Sequence, residues 1–404
     1  VSYQKSGYFS SLINDYLDEK PQVRALYNRF PSIENFSAQI DEKSLNFPLE
    51  NRLILSQTIE KQYKDFIISN ATQQNIIALK DQNTFTVTTG HQLNLFSGPM
   101  YFLYKIISTI NLCKKLKQEY PKNNFVPIFW MATEDHDFDE INHFYFKGKK
   151  IIWNEVSKGP VGRNNTNTLD EVFQIIDIEF GTNENSKILK TIFKKTYLEH
   201  DTLSDATRFL ANALFKEDGL VIIDGDDIDL KNLFIPYSTK EIKEQTAFNC
   251  VTKTILEFNS YTIQVNPREI NLFYIQDEIR ERIVYEKGLY KVNSTNISFT
   301  SDELFKLIQN QSNTISPNVL LRPLYQEVIL PNLCYIGGGG EIAYWLELKS
   351  MFESFGVTFP MLLLRNSVVI TTQKQEQKAD KLGLSWNDLF SKQQSLFDNK
   401  TREL

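Results

Sequence analysis

Cysteine is scarce: Cys113, Cys250 and Cys334 are the only three, widely spaced and without a Cys-x-x-Cys pair. An odd, dispersed set excludes a disulfide framework and a thiolate zinc site as the basis of the fold, and Cys113 falls on the apolar face of a predicted helix as a small core residue. No stretch approaches the roughly 20 uninterrupted apolar residues that a bilayer span requires, so no membrane partner is expected. The opening VSYQKSGYFSSLINDYLDEK lacks the apolar core of a signal peptide, which predicts a cytoplasmic location and leaves sequons such as Asn70-Ala71-Thr72 without meaning. Long blocks of one charge are also missing. With a formal net charge of -6 spread among interspersed acids and bases, the chain has nothing to track a phosphate backbone, and nucleic acid is not an expected partner. Internal repeats and low-complexity segments are absent as well.

What is present is core. The 404 residues are 41% hydrophobic and 13% aromatic, enough for a large buried interior with one or two subsidiary domains. The first 80 residues mix helical periodicity with polar spacers and predict an antiparallel helical lead-in. Residues 84–89 form a β-branched strand running into Gly90-His91-Gln92, after which Ser97-Gly98-Pro99 signals a helix start. That helix places Leu103, Ile106, Ile107, Ile110 and Cys113 on one stripe, with Lys114, Lys115 and Lys117 near its C-terminal end. Residues 125–132 then read as a strand buried on both faces, completing a strand, helix, strand crossover. Pro127 argues against a central place in the sheet unless it opens the strand or sits at a bulge.

Residues 144–180 break into short strand-like pieces with glycines and an Asn-rich turn, an excursion from the main sheet. Helices fill 185–217, GLVIID at 219–224 is another buried strand, and 232–258 reads as helical. A second excursion follows, in which 261–274 and 281–292 alternate like hairpin strands. Core-like sequence returns at 320–330, the glycine run 337–340, an apolar helix to Phe355 capped by Gly356, and a strand at 361–365. From Gln373 the chain turns polar, with Leu and Phe at roughly heptad spacing, which predicts a coiled-coil arm that stops in mid-pattern.

Three constellations carry chemistry. TTGHQLNLFSGP places Gly90, His91, Gln92 and Gly98 at a strand's carboxyl end before a helix, where backbone N–H groups favour an anion; a tight turn with a capping histidine is the structural alternative. It is not a Walker A loop. TEDHDFDEINH puts Glu134, Asp135, His136, Asp137, Asp139, Glu140 and His143 directly after a buried strand and holds two of the chain's four histidines. Such a cluster can bind an ammonium group, and an Asp-oriented histidine can accept its proton; divalent metal ligation is the competing chemistry. In CYIGGGGEIAYWLELK, Gly337, Gly338, Gly339 and Gly340 open a helix with Glu341 in its first turn, a backbone that lets a ligand approach closely. Asn318, Arg322, Tyr325, Gln326 and Glu327 lie just upstream, and Asn266 and Arg268 sit in the second excursion; each arginine suits a carboxylate or phosphate, or a structural salt bridge. No Ser-His-Asp or Cys-His set is readable, which disfavours hydrolysis through a side-chain nucleophile.

Taken together, TTGHQLNLFSGPMYFLYK, FWMATEDHDFDEINH, ATRFLANALF, QVNPREINLFY, LLRPLYQEVILPNLCYIGGGGEIAYWLELK and LLLRNSV resemble the bacillithiol biosynthesis cysteine-adding enzyme family over roughly residues 84 to 370. The resemblance implies an α/β fold: a Rossmann-like parallel sheet core with inserted connecting-peptide regions and a C-terminal helical coiled-coil arm through which a homodimer forms. On this chain the division is 1–143 for the first part of the core with its helical lead-in, 144–182 for the first insertion, 183–258 for the core continued, 259–300 for the second insertion, 301–371 for the core completed and 372–404 for the arm. The implied activity is addition of L-cysteine to glucosamine malate, with ATP or another adenine nucleotide as the expected cofactor and no metal assigned. In related nucleotide-binding ligases a two-histidine phosphate motif stands where this chain has only His91, and neither their Lys-rich second signature nor a Cys/His zinc cluster is visible. Making an amide from a free carboxylate needs an activated carbonyl. Asp135, His136 and Asp137 are therefore assigned to orient and deprotonate the sugar amine, while the glycine loops hold phosphates or carboxylates. A metal-dependent hydrolase built on the EDHD cluster and a noncatalytic nucleotide-binding scaffold are the alternatives.

Overall fold

The computed structural model describes residues 1–258 and 261–403, so the first two positions of the second insertion, 259 and 260, and the last residue of the arm lie outside the described residues. In chain order the strands are β1 (Thr84–His91), β2 (Asn124–Met131), β3 (His143–Phe146), β4 (Lys149–Ile152), β5 (Val221–Asp224), β6 (Leu272–Gln276), β7 (Ile279–Glu286), β8 (Leu289–Val292), β9 (Ser298–Phe299), β10 (Ile315–Pro317), β11 (Asn332–Gly337) and β12 (Met361–Leu364). Five of them form the central sheet in the order β12-β11-β1-β2-β5, and every pairing in it is parallel. Parallel strands are covered on both faces, which is why β1, β2 and β11 read as continuous buried runs rather than as alternation. From β1 the chain builds outward to β2 and β5, then returns to add β11 and β12 on the other side. The strand order therefore reverses beside β1, the position where open α/β sheets leave a crevice.

Pro127 does lie inside the sheet, paired with Val87. The reason is geometric. Asn124 and Ala132 both donate their N–H groups toward the β1 side, to Asn83 and His91, so by the two-residue repeat position 127 faces β5 instead. The β5 ladder begins only at Ile128 opposite Val221, and no bond is lost by the missing N–H. The crossover helix Tyr101–Glu119 is rotated relative to the predicted stripe: its buried face is Phe102, Lys105, Ile106, Thr109, Ile110, Leu112, Cys113 and Leu116, whereas Ile107 is exposed.

The lead-in is helical, as predicted, and is bolted by polar contacts to the sheet and to the helix Leu321–Ile329. Tyr16 Oη donates to the Leu362 carbonyl at 2.6 Å, Arg52 donates to the Thr84 carbonyl at 2.7 Å, and Asn51 donates to the Val328 carbonyl at 3.0 Å. Lys43 and Glu327 form a buried ion pair at 2.9 Å. The first excursion folds as a β3–β4 hairpin, and the second supplies β6 to β9 of an antiparallel sheet ordered β10-β6-β7-β8-β9, to which β10 is added from the segment that follows. Residues 262–269, expected to alternate as a strand, have no regular secondary structure. The C-terminal segment also differs from a long heptad helix: it comprises the helices Gln373–Lys381 and Gln393–Glu403, separated by a turn in which Gly383 takes φ +60°.

Burial pushes the Glu327 carboxyl up, opposed by Lys43 and by hydrogen bonds from Lys43 and Asn332. Lys43→Ala would strand that carboxylate in the core. The expected cost is about 3–5 kcal/mol, read as a lowered urea midpoint at constant slope; an unchanged midpoint would mean that Asn332 alone suffices.

Candidate active site

Because all five strands run the same way, their following loops gather on one edge. A cavity of about 460 Å³ opens there, lined by Gly90, His91 and Gln92 at the end of β1, Asp135 beyond β2, Gly338 to Glu341 beyond β11, Arg365 beyond β12, and Arg322 and Gln326 from the helix Leu321–Ile329. Gly90 sits at a close approach: a Cβ there would lie 3.3 Å from Tyr335 Oη, tighter than ordinary contact, and 3.8 Å from Gln326 Nε2. The floor is tied by Lys105, whose Nζ donates to the Gly90 carbonyl at 2.8 Å and pairs with Glu341 Oε2 at 2.6 Å. Glu341 also accepts from Tyr335 Oη at 2.9 Å and from the Gly338 N–H at 2.8 Å. Its charge is thus spent on joining the helix Tyr101–Glu119 to the glycine turn.

Four other polar atoms of this lining are shielded from solvent yet have no hydrogen-bond partner among the described residues: His91 Nε2, Gln326 Oε1, Trp345 Nε1 and Arg365 Nε. Each such atom costs about 1–3 kcal/mol when left unpaired, so their concentration in one cavity is the donor and acceptor pattern that a polar ligand would satisfy. Burial, then the nearby Lys105 and Arg365 charges, push the His91 imidazole well below its ordinary range, so it is neutral. Arg322 and Arg365 leave the wall cationic without it.

A second compartment of about 410 Å³ adjoins the first and shares Asp135, Val319 and Arg322 with it. His136, Asp137, Asn266, Arg268, Asn271, Arg280, Arg282 and Asn318 complete its polar lining. Burial raises the Asp135 carboxyl, but the His136 hydrogen bonds and the Arg322 and Arg280 charges outweigh it and hold the group well below the usual carboxylate range. Arg280 is buried, stacks over Phe273 at 4.0 Å from the ring centroid, and places NH1 2.6 Å from His136 Nδ1. A guanidinium only donates, so Nδ1 offers its lone pair and the ring proton sits on Nε2. Asp135, His136 and Asp137 can each offer one atom within a 4.8 Å set, a spacing that a divalent ion can bridge; Arg280 puts a fixed cation against that set.

The remaining predicted residues lie outside both linings. Glu134 turns into the core, where Lys231 pairs with it and with Asp226 at 2.8 Å each. Tyr325 donates to the Gly225 carbonyl at 2.7 Å; Gly337 ends β11; Gly98 takes φ +55° in a turn packed against Asn94. Sequence reasoning missed Lys105, Arg280, Arg365, Tyr335 and Trp345. Lys105 carried a signal, a cation on an apolar helical face, as did Arg365, a charge directly after a buried strand. Arg280 carried none, because only sheet pairing brings β7 to the cleft.

Comparison with known proteins bears on this cleft. Residues 1–366 match the family model described as bacillithiol biosynthesis BshC, N-terminal Rossmann-like domain. The chain is 60% identical over 404 residues to a Flavobacterium johnsoniae protein named "Putative cysteine ligase BshC", covering all of this chain and 76% of that one. Proteins of the same name from Christiangramia forsetii and Staphylococcus carnosus are 55% identical over 410 residues and 29% identical over 382, covering 100% and 90% of this chain and 76% and 70% of their own lengths.

The neutral His91 has a consequence for acid stability. Its folded value lies below the ordinary 6.5, so as pH falls through that value the unfolded chain takes up a proton that the folded one refuses, and stability is lost. His91→Gln is expected to flatten the decline in urea midpoint between pH 7 and pH 5; parallel declines in the two proteins would show that the ring protonates freely in the fold.

Proposed function

The chain belongs to the BshC family of bacillithiol biosynthesis, and on that premise we propose that it joins L-cysteine to glucosamine malate, forming an amide between the cysteine carboxyl and the sugar amine. The observation that supports this reading best is the pair of compartments meeting at Asp135 and Arg322. A condensation needs two reactants held separately with their reacting ends in contact.

The malate group carries two carboxylates, and the second compartment offers Arg268, Arg280 and Arg282 with Arg322 at the join, a set suited to planar, bidentate recognition. Its sugar ammonium then faces Asp135 and Asp137. Cysteine and its activating group take the first compartment, where Arg322, Arg365 and the glycine backbone at 338–340 favour carboxylate or phosphate oxygens. ATP or another adenine nucleotide would supply the activation, converting an inert carboxylate into an acyl group that an amine can attack. Lys105 is already committed to Gly90 and Glu341, so the arginines are the cations this lining has free to turn toward such oxygens.

Attack requires the amine without its proton. In this geometry His136 Nδ1, which lies 3.7 Å from Asp135 Oδ1, is occupied by Arg280, so His136 becomes a base only when a malate carboxylate draws Arg280 away. Binding of the correct acceptor thereby prepares the base, a form of specificity by assembly. The same proposal places the reaction in the cytoplasm and has two chains associating through the C-terminal segment, where Leu382, Trp386, Leu389 and Phe397 are exposed.

Incubation of the protein with cysteine, glucosamine malate and ATP is expected to yield bacillithiol by mass detection, with none when ATP is omitted. His136→Ala combined with Asp137→Ala should cut product formation at least about a hundredfold while leaving the thermal midpoint within a degree or two. Wild-type product levels in that variant would refute the assignment, and equal product without ATP would remove the nucleotide.

A further inference from the structure

The irregular segment 262–269 carries Asn266 and Arg268 to the second compartment, yet no ladder or helix satisfies its backbone. Such a segment keeps one conformation only if other groups bind its N–H donors. At its downstream end Asn271 does so: its Oδ1 accepts the Arg268 N–H at 3.1 Å and its Nδ2 donates to the Arg268 carbonyl at 2.7 Å and to Glu241 Oε1 at 2.9 Å. At its upstream end the partner is Glu347, a fully buried residue. Glu347 Oε1 accepts the Gln264 N–H at 2.7 Å, and the Val265 N–H also favours its charge.

Glu347 forms no ion pair among the described residues, and burial pushes its carboxyl up to about 7. A carboxylate buried against backbone amides alone is expensive. Its position supplies the reason. Glu347 lies two residues beyond the helix Gly339–Trp345, whose glycines, Glu341, Tyr344 and Trp345 line the first compartment, so its side chain links the wall of one compartment to the loop of the other.

We propose that Glu347 is a positioning residue for the acceptor substrate: it clamps the 262–269 segment to the glycine-turn helix and so holds Asn266 and Arg268 against the arginine-lined compartment. This rests on the assignment of glucosamine malate to that compartment. Glu347→Ala should speed hydrogen exchange of the Gln264 and Val265 amides at least about tenfold, as loss of a buried hydrogen bond requires, and Glu347→Gln, which keeps an acceptor oxygen, should restore most of the protection. In turnover by the full chain, the alanine variant should raise KM for glucosamine malate roughly tenfold, with kcat and the KM for cysteine within about twofold, and the glutamine variant should return toward wild type. Unchanged exchange, or equal rises in both KM values, would overturn the clamp. Exchange is read without substrate, so a wild-type protein that made no product would count against the proposed reaction while the exchange result still decided the clamp. If the alanine variant fails to fold, the glutamine variant carries the test: an acceptor KM raised as far as exchange is accelerated supports the proposal, and exchange accelerated with an unmoved KM overturns it.

Discussion

Parallel pairing is the constraint from which the rest of the molecule follows. A parallel strand must be reached by a crossover, so its two faces are covered, its sequence is apolar throughout and its carboxyl end lies beside those of its neighbours. Five such ends share one edge here. Any polar residue placed just after a strand is then delivered to the same crevice, whatever its distance along the chain, and the reversal of strand order beside β1 opens that crevice wide enough for a ligand.

Charge inside this edge is divided between framework and function. Glu341 with Lys105, Glu134 with Lys231, and Glu327 with Lys43 are ion pairs within the protein, the last two buried, and removing one member of a buried pair strands the other. They fix loops, not ligands. The groups left over are of a different kind: an imidazole held neutral by burial and nearby cations, and, among the described residues, an indole and a guanidinium N–H without acceptors and an amide oxygen without a donor. A reaction that makes an amide from two charged reactants needs this separation, because a framework that shifted when substrate charges arrived would spend binding energy on its own rearrangement.

Much of the site was legible because strands buried on both faces are conspicuous, and a dense charge cluster or glycine run immediately after one is hard to explain as surface. His91, Asp135 and the glycine turn were found on that ground. Glu134 and Tyr325 were grouped with them by adjacency, yet the first turns into the core and the second packs beneath the cleft, since the direction of a side chain leaving a strand end is set by the loop that follows. Arg280 was invisible for a related reason: it sits on a hairpin strand with no local mark, and only pairing with β6 brings it beside His136. The stripe on the crossover helix was misjudged by one position because Lys105 and Thr109 occupy buried places that an apolar count skips.

The sequence by itself determined the α/β class, the buried strands at β1, β2, β5 and β12, and the family, because buried parallel strands and motif spacing are local properties of the chain. Tertiary structure alone decided that Pro127 sits harmlessly inside the sheet, that the C-terminal segment folds as two short helices, and that two compartments meet at Asp135 and Arg322. Those outcomes depend on which N–H faces which neighbour and on contacts between residues more than a hundred positions apart, and neither is written in any local pattern.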